Sequence, residues 1–112
     1  VTSAEFRPVA APATLGRLWW LPSHGYGNGL DDHAWAPVLD VDARVAMILL
    51  DAFRAAGVPA YTASLTPHTH ASRDGWATYR IWVGSSAYGR AEDTLLAVMP
   101  GLIHRFGPEI VR

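Results

Sequence analysis

The sequence predicts an α+β domain of the ferredoxin-like sandwich type, βαββα with a possible short last strand, its two helices on one face of an antiparallel sheet. Three observations carry this. Val45, Leu49, Ala52, Phe53 and Ala56 recur at helical spacing and stop at Gly57-Val58-Pro59. Two alternating stretches, VPAYTASL from 58 and the run around TYRIWV, flank a polar loop. A second helical stripe, Ala91, Leu95, Val98 and Leu102, follows the second strand directly.

The length of 112 residues suits one domain with a single hydrophobic core. Residues 1–14, rich in Ala, Pro and Thr, read as a mobile tail, and 15–112 as the domain. RLWWL, residues 17–21, has the length and aromatic content of a central strand closed by Pro22. The next 19 residues or so, Pro22 to about Asp40, read as a long connection containing the stretch PSHGYGNGLDDHAW.

The first helix is expected from about Asp42 to Ala56, capped by Asp40 or Asp42. A strand follows at once, Tyr61, Ala63 and Leu65 sharing one face, with Pro59 tolerable at its start. In the next strand Tyr79, Ile81 and Val83 point one way, and Thr78, Arg80 and Trp82 the other. Ser85 and Ser86 offer caps to the second helix, which Pro100 and Gly101 should end or bend. HRFGPEIVR could add a turn and a short edge strand. Trp19 or Trp20, Tyr61 and Trp82 are placed to cover the other sheet face, and an apolar face of that kind points to a homodimer or homotrimer.

Composition excludes several classes. Nine basic and ten acidic side chains, without runs of one sign, disfavour a nucleic-acid partner. All the basic side chains are Arg, which removes Schiff-base and phosphate-loop lysine chemistry. The absence of Cys removes disulfides, zinc-thiolate sites and thiol catalysis. No apolar run approaches the roughly 18 to 20 residues of a membrane span. VTSAEFRPVAAPATLG lacks a basic stretch followed by an apolar block, so a cytoplasmic location without membrane contact is expected.

DARVAMILLDAFRAAGVPAYTASL, joined through a loop to RIWVGSSAYGRAEDTLLAVM, resembles the prokaryotic signal-transducing protein family of small bacterial domains related in fold to PII-type regulators. The resemblance rests on the turn Ala56-Gly57-Val58-Pro59-Ala60, on Ile81-Trp82-Val83, and on a helix opening with acidic residues and Ala. It spans about half the chain. It implies a ferredoxin-like fold and a role in binding or signal transduction, with no catalytic residues to carry over. The long 22–40 connection departs from the family's tight one, and loops of that length are often functional.

Gly25, Gly27 and Gly29 invite comparison with a phosphate loop, but Leu30, Asp31, Asp32, His33, Trp35 and Pro37 stand between them and the helix, and the aspartates would repel phosphate. The glycines are more simply turn residues supplying positive φ. The candidate ligand contacts are His24, Tyr26, Asn28, Asp31, Asp32, His33 and Trp35 on the connection, with Arg80 and Trp82 on the sheet. Arg80 beside Trp82 and Trp76 could grip an anionic aromatic ligand.

His68 and His70, if extended, project from one face about 7 Å apart and could share a metal. With His24 and His33, and with Asp31 and Asp32 nearby, they would make a site for Zn, Mn or Fe. Exposed loop histidines need no ligand, so no cofactor is expected and the divalent metal stays an alternative. The leading expectation is a non-enzymatic regulatory module that binds a small ligand or a protein and oligomerises through its sheet. Its rival is a small metal-dependent or acid–base enzyme using the His and Asp residues of the 22–40 and 66–75 loops, similar in architecture to dimeric α+β barrel enzymes.

Overall fold

The computed structural model describes residues 21–65 and 77–112. Four strands and two helices occur there: β1 (Tyr26–Gly27), β2 (Trp35–Asp42), α1 (Ala43–Ala55), β3 (Ala60–Ser64), β4 (Thr78–Gly84) and α2 (Tyr88–Phe106). Short 3-10 turns, Ser85–Ala87 and Pro108–Ile110, flank α2. The sheet runs β1-β3-β4-β2, every neighbouring pair antiparallel. An isolated bridge between Val41 and Val111, with the Arg112 N–H on the Asp40 carbonyl at 2.9 Å, ties the C-terminal residues to β2.

The fold class is therefore α+β, with an antiparallel sheet and two helices. The expected connection from Pro22 to Asp40 is corrected. The 22–40 connection is not a single loop, because Trp35–Asp42 is an eight-residue strand paired along β4, and Tyr26–Gly27 pairs with β3. The tail expected at 1–14, most of the strand expected at 17–21 and the 66–76 segment lie outside the described residues.

A bulge in β2 explains why its alternation is hard to read. Pro37 pairs with Trp82, yet Leu39 pairs with Ile81, so Val38 is an extra residue between them. An extra residue reverses the parity of side-chain direction. Trp35 consequently joins the aromatic face, whereas Val41, also an odd position, enters the helix-covered core.

α1 forms where expected. Asp42 is its N-cap, its carboxylate accepting from the Arg44 N–H at 2.8 Å, and Gly57, at φ +74°, lies just past its end. Its buried stripe, Val45, Ala46, Leu49, Leu50 and Phe53, packs on Val41, Ala60, Ile81 and Val83 of the sheet and on Ala91 and Leu102 of α2. Burying a side chain the size of Leu49 or Phe53 contributes about 1.5–3 kcal/mol.

α2 differs from expectation at its start and runs on past Pro100. Neither Ser85 nor Ser86 caps it through a side chain, since both lie in the preceding 3-10 turn and its N-cap position is Ala87. Pro100 does not end it, and the helix continues to Phe106. Leu95 and Val98 before the proline, and Leu102 and Ile103 after it, all pack on the core. That burial on both sides outweighs the local cost of the missing N–H.

The opposite sheet face was expected to be open to a partner. Tyr61 and Trp82 do share it, directly opposite each other in register, but with Leu21, Trp35 and Ala63 they form a second cluster. Tyr61 is 2% exposed and Trp82 7% within the single chain. Their rings meet edge to face at 5.9 Å, and Trp35 lies 6.5 Å from Tyr61, geometry that adds to simple burial.

Candidate functional site

The stretch from Pro22 to Trp35 divides into a structural half and an exposed half. Gly25 passes so close to the Tyr61 ring and the Thr62 carbonyl that a Cβ there would collide with both. The Gly25 N–H donates to the Tyr61 hydroxyl at 3.1 Å, and that hydroxyl donates to the Pro22 carbonyl. Gly29, at φ +91°, is the one glycine of the three that uses the left-handed region. Gly27 belongs to β1.

Asn28 is buried and satisfied. Its amide donates to the carbonyls of Val58 at 2.9 Å and Leu50 at 3.3 Å, while its side-chain oxygen accepts from the N–H groups of Ala60 at 3.1 Å and Leu30 at 3.3 Å. The Arg54 guanidinium donates to the Asn28 backbone carbonyl. Asn28 thus fastens the stretch to the end of α1 and the start of β3, and its polar capacity is spent on the fold.

Beyond Leu30 the chain reaches a cleft of about 410 Å³ lined by Asp31, Asp32, His33, Gly57, Pro59, Ser86, Ala87 and Arg90. Three parts of the fold converge there: the segment before β2, the turn from α1 to β3, and the start of α2. Asp32 crosses to the 3-10 turn, accepting from the Ser86 hydroxyl at 2.5 Å and the Ser86 N–H at 3.3 Å. Its other oxygen accepts from the N–H groups of His33 at 2.6 Å and Ala34 at 3.4 Å. Burial pushes the Asp32 carboxyl up, but the Ser86 hydroxyl and the three backbone donors together hold it below its ordinary value of 3.8.

Arg90 lies across the cleft, one of its nitrogens on the Gly57 carbonyl at 3.2 Å. His33 is exposed on the rim, and the side-chain oxygen of Asp31 accepts from the Asp32 N–H at 2.9 Å. An open cleft with a fixed carboxylate, a guanidinium and an imidazole can hold a small polar molecule by several directed contacts.

Of the expected contacts, Asp31, Asp32 and His33 are brought together here and the others are not. His24 lies by β3, its Nε2 3.1 Å from the Ser64 carbonyl. Tyr26 packs against the main core. Trp35 and Trp82 belong to the aromatic cluster, where the Trp35 Nε1 is, among the described residues, the buried side-chain polar atom without a hydrogen-bond partner. Arg80 makes a two-point ion pair with Asp40, its cross-strand neighbour, at 2.8 and 3.1 Å, and that carboxylate raises its already high pKa.

The sequence reads Ser86 as a helix cap and not as the partner of Asp32, reads Gly57 and Pro59 as turn residues and not as cleft lining, and gives no sign of Arg90. Ser86 and Arg90 stand more than 50 positions from Asp32 and reach it only through the docking of α2, for which no local spacing exists. Of the four histidines considered as metal ligands, His68 and His70 lie outside the described residues. Among the described residues no group of three or more His, Cys, Asp or Glu could hold a metal ion. No helix there is long and apolar enough to cross a membrane. Comparison with protein-family models, curated proteins and solved structures gives no match.

Proposed function

We propose that this chain is a non-enzymatic binding module, and that the cleft between Asp31–His33 and Arg90 receives a small polar ligand. The observation that carries this is the state of Asp32. Its oxygens accept four hydrogen bonds, and its proton affinity is lowered, which makes it a poor general base at neutral pH and a good fixed acceptor. An acid–base role for Asp32 fits less well for the same reason.

The ferredoxin-like reading of the fold belongs to this proposal. It is supported by the run β2-α1-β3-β4-α2, by the neighbours β3-β4-β2, and by Val111 bridging the outer side of β2 where a last strand would stand. On this reading β1 is an addition at the β3 edge. The resemblance of the turn Ala56–Ala60 to the PII-like domains agrees with a regulatory role, since Gly57 and Pro59 of that turn line the cleft. Assembly through the sheet would need contacts beyond Tyr61 and Trp82, which are already buried.

The test is a titration of 15N-labelled protein with amino acids and with dicarboxylates. Shifts confined to Asp31–His33, Gly57, Ser86 and Arg90, and abolished by Arg90→Ala, are the expected result. Absence of saturable shifts at these positions with both ligand classes would defeat the proposal, as would shifts that persist in Arg90→Ala.

A further inference from the structure

The outward face of α2 is apolar in its middle and charged at its ends. Ala91 and Leu102 are buried, whereas Glu92, Asp93, Leu96, Ala97, Pro100, Gly101, His104 and Arg105 are exposed. Leu96 is 77% exposed, unusual for a leucine in a helix whose other face is already packed on a core. Asp93, Ala97, Pro100 and His104 follow one another at steps of four, three and four, the spacing of a seam along which two helices can lie.

The charges decide which way a second helix would run. Glu92 and Asp93 stand on the N-terminal part of the face, and His104 and Arg105 stand 12 positions later, about 18 Å along the axis. A parallel copy would set like charge on like. An antiparallel copy, turned about a two-fold axis near Val98 and Met99, sets Asp93 of each chain opposite His104 of the other. The same operation places Ala97 opposite Pro100 and brings the two Leu96 side chains together on one flank. Antiparallel helix dipoles favour the same arrangement.

We propose that this face of α2 binds a second copy of the chain as an antiparallel, two-fold helix pair. Such a contact is self-complementary, as a closed dimer requires. Its middle is small and apolar, so the helices can approach closely, and its charged ends supply orientation. A contact made by one helix face covers less than the roughly 800 Å² per partner of a standard interface, which puts it in the class of weak, reversible contacts.

The experiment is sedimentation velocity over a concentration series from low micromolar to near millimolar. The wild-type chain is expected to shift from monomer to dimer, and Leu96→Glu, at an exposed position that leaves the core intact, to raise the dissociation constant at least about tenfold. Asp93→Arg should weaken the dimer likewise by removing the carboxylate opposite His104, and Asp93→Arg combined with His104→Glu should restore it, because a guanidinium and a carboxylate then face each other. A wild-type chain that stays monomeric throughout would overturn the proposal. So would a dimer indifferent to Leu96→Glu, the result expected if the chain assembles through its sheet. The cleft titration is read at other residues, so either result leaves the ligand proposal to stand or fall separately.

Discussion

Asp32 and Ser86, 54 positions apart in the chain, meet at 2.5 Å and join the segment before β2 to the turn that leads into α2. The carboxylate does for the Ser85–Ala87 turn what neither serine does from within, satisfying a backbone N–H at the approach to a helix. One wall of the cleft therefore depends on a contact between segments that share no local structure.

Replacing Asp32 by Asn should cost about 1 kcal/mol at neutral pH, because both carboxylate oxygens accept hydrogen bonds, and Asn turns one of them into an NH2 and removes the charge that strengthens the rest. The pH dependence has a definite sign. The folded-state value lies below the ordinary 3.8, so the stabilisation is fully present above that value and is lost as pH falls through the lower, folded one. Urea unfolding of wild type and Asp32→Asn should differ at pH 7 and converge in strong acid. A gap that widened on acidification would contradict the assigned hydrogen bonds.

Asn28 should be far less tolerant than its place in a glycine-rich stretch suggests. Asn28→Ala leaves the Val58 and Leu50 carbonyls and the Ala60 N–H without their side-chain partner, at a cost of about 3 kcal/mol. Asn28→Asp keeps the size but turns a carboxylate oxygen toward those two carbonyls, so it should be at least as damaging at neutral pH. Equilibrium denaturation of the two variants distinguishes this role from ligand contact, which would spare stability.

Much of the architecture is legible because its signals are local. The stripe from Val45 to Phe53, the glycine after it, and the alternation of Ile81 and Val83 against Trp82 can each be read within a dozen residues. β2 is not, since Pro37 suggests a loop and the extra residue at Val38 reverses its pattern midway. The site was half legible for a related reason. Asp31, Asp32 and His33 stand out by type and proximity, whereas Ser86 and Arg90 join them only through the docking of α2. Asn28 gives no sign in sequence that its four polar contacts lie inside.

Asp42 carries a larger share of stability than its role as a cap alone. It is fully buried, and besides the Arg44 N–H its carboxylate meets the guanidinium of Arg44 at 2.5 Å and that of Arg112 at 3.5 Å. Asp42→Ala removes the cap together with the buried carboxylate that both guanidiniums meet, so a loss of about 3 kcal/mol is expected. Asp42→Asn, which can still accept from the Arg44 N–H, should lose less. Thermal unfolding of the pair ranks the two effects, and equal losses would mean that charge, not capping, accounts for all of it.

Gly84 offers the sharpest test of the Asp32 contact. Its backbone, at φ −60° and ψ 130°, is one that alanine adopts without strain. A Cβ there would nevertheless collide with the Asp32 carboxylate. Gly84→Ala should therefore destabilise the chain in the wild-type background by displacing Asp32 from Ser86, and should be nearly neutral once Asp32→Ala has removed the obstacle. The two substitutions are expected to be strongly non-additive, by about 1 kcal/mol or more in a double-mutant cycle. Simple additivity would mean that Asp32 does not lie over Gly84 in solution, and the cleft wall built on it would have to be redrawn.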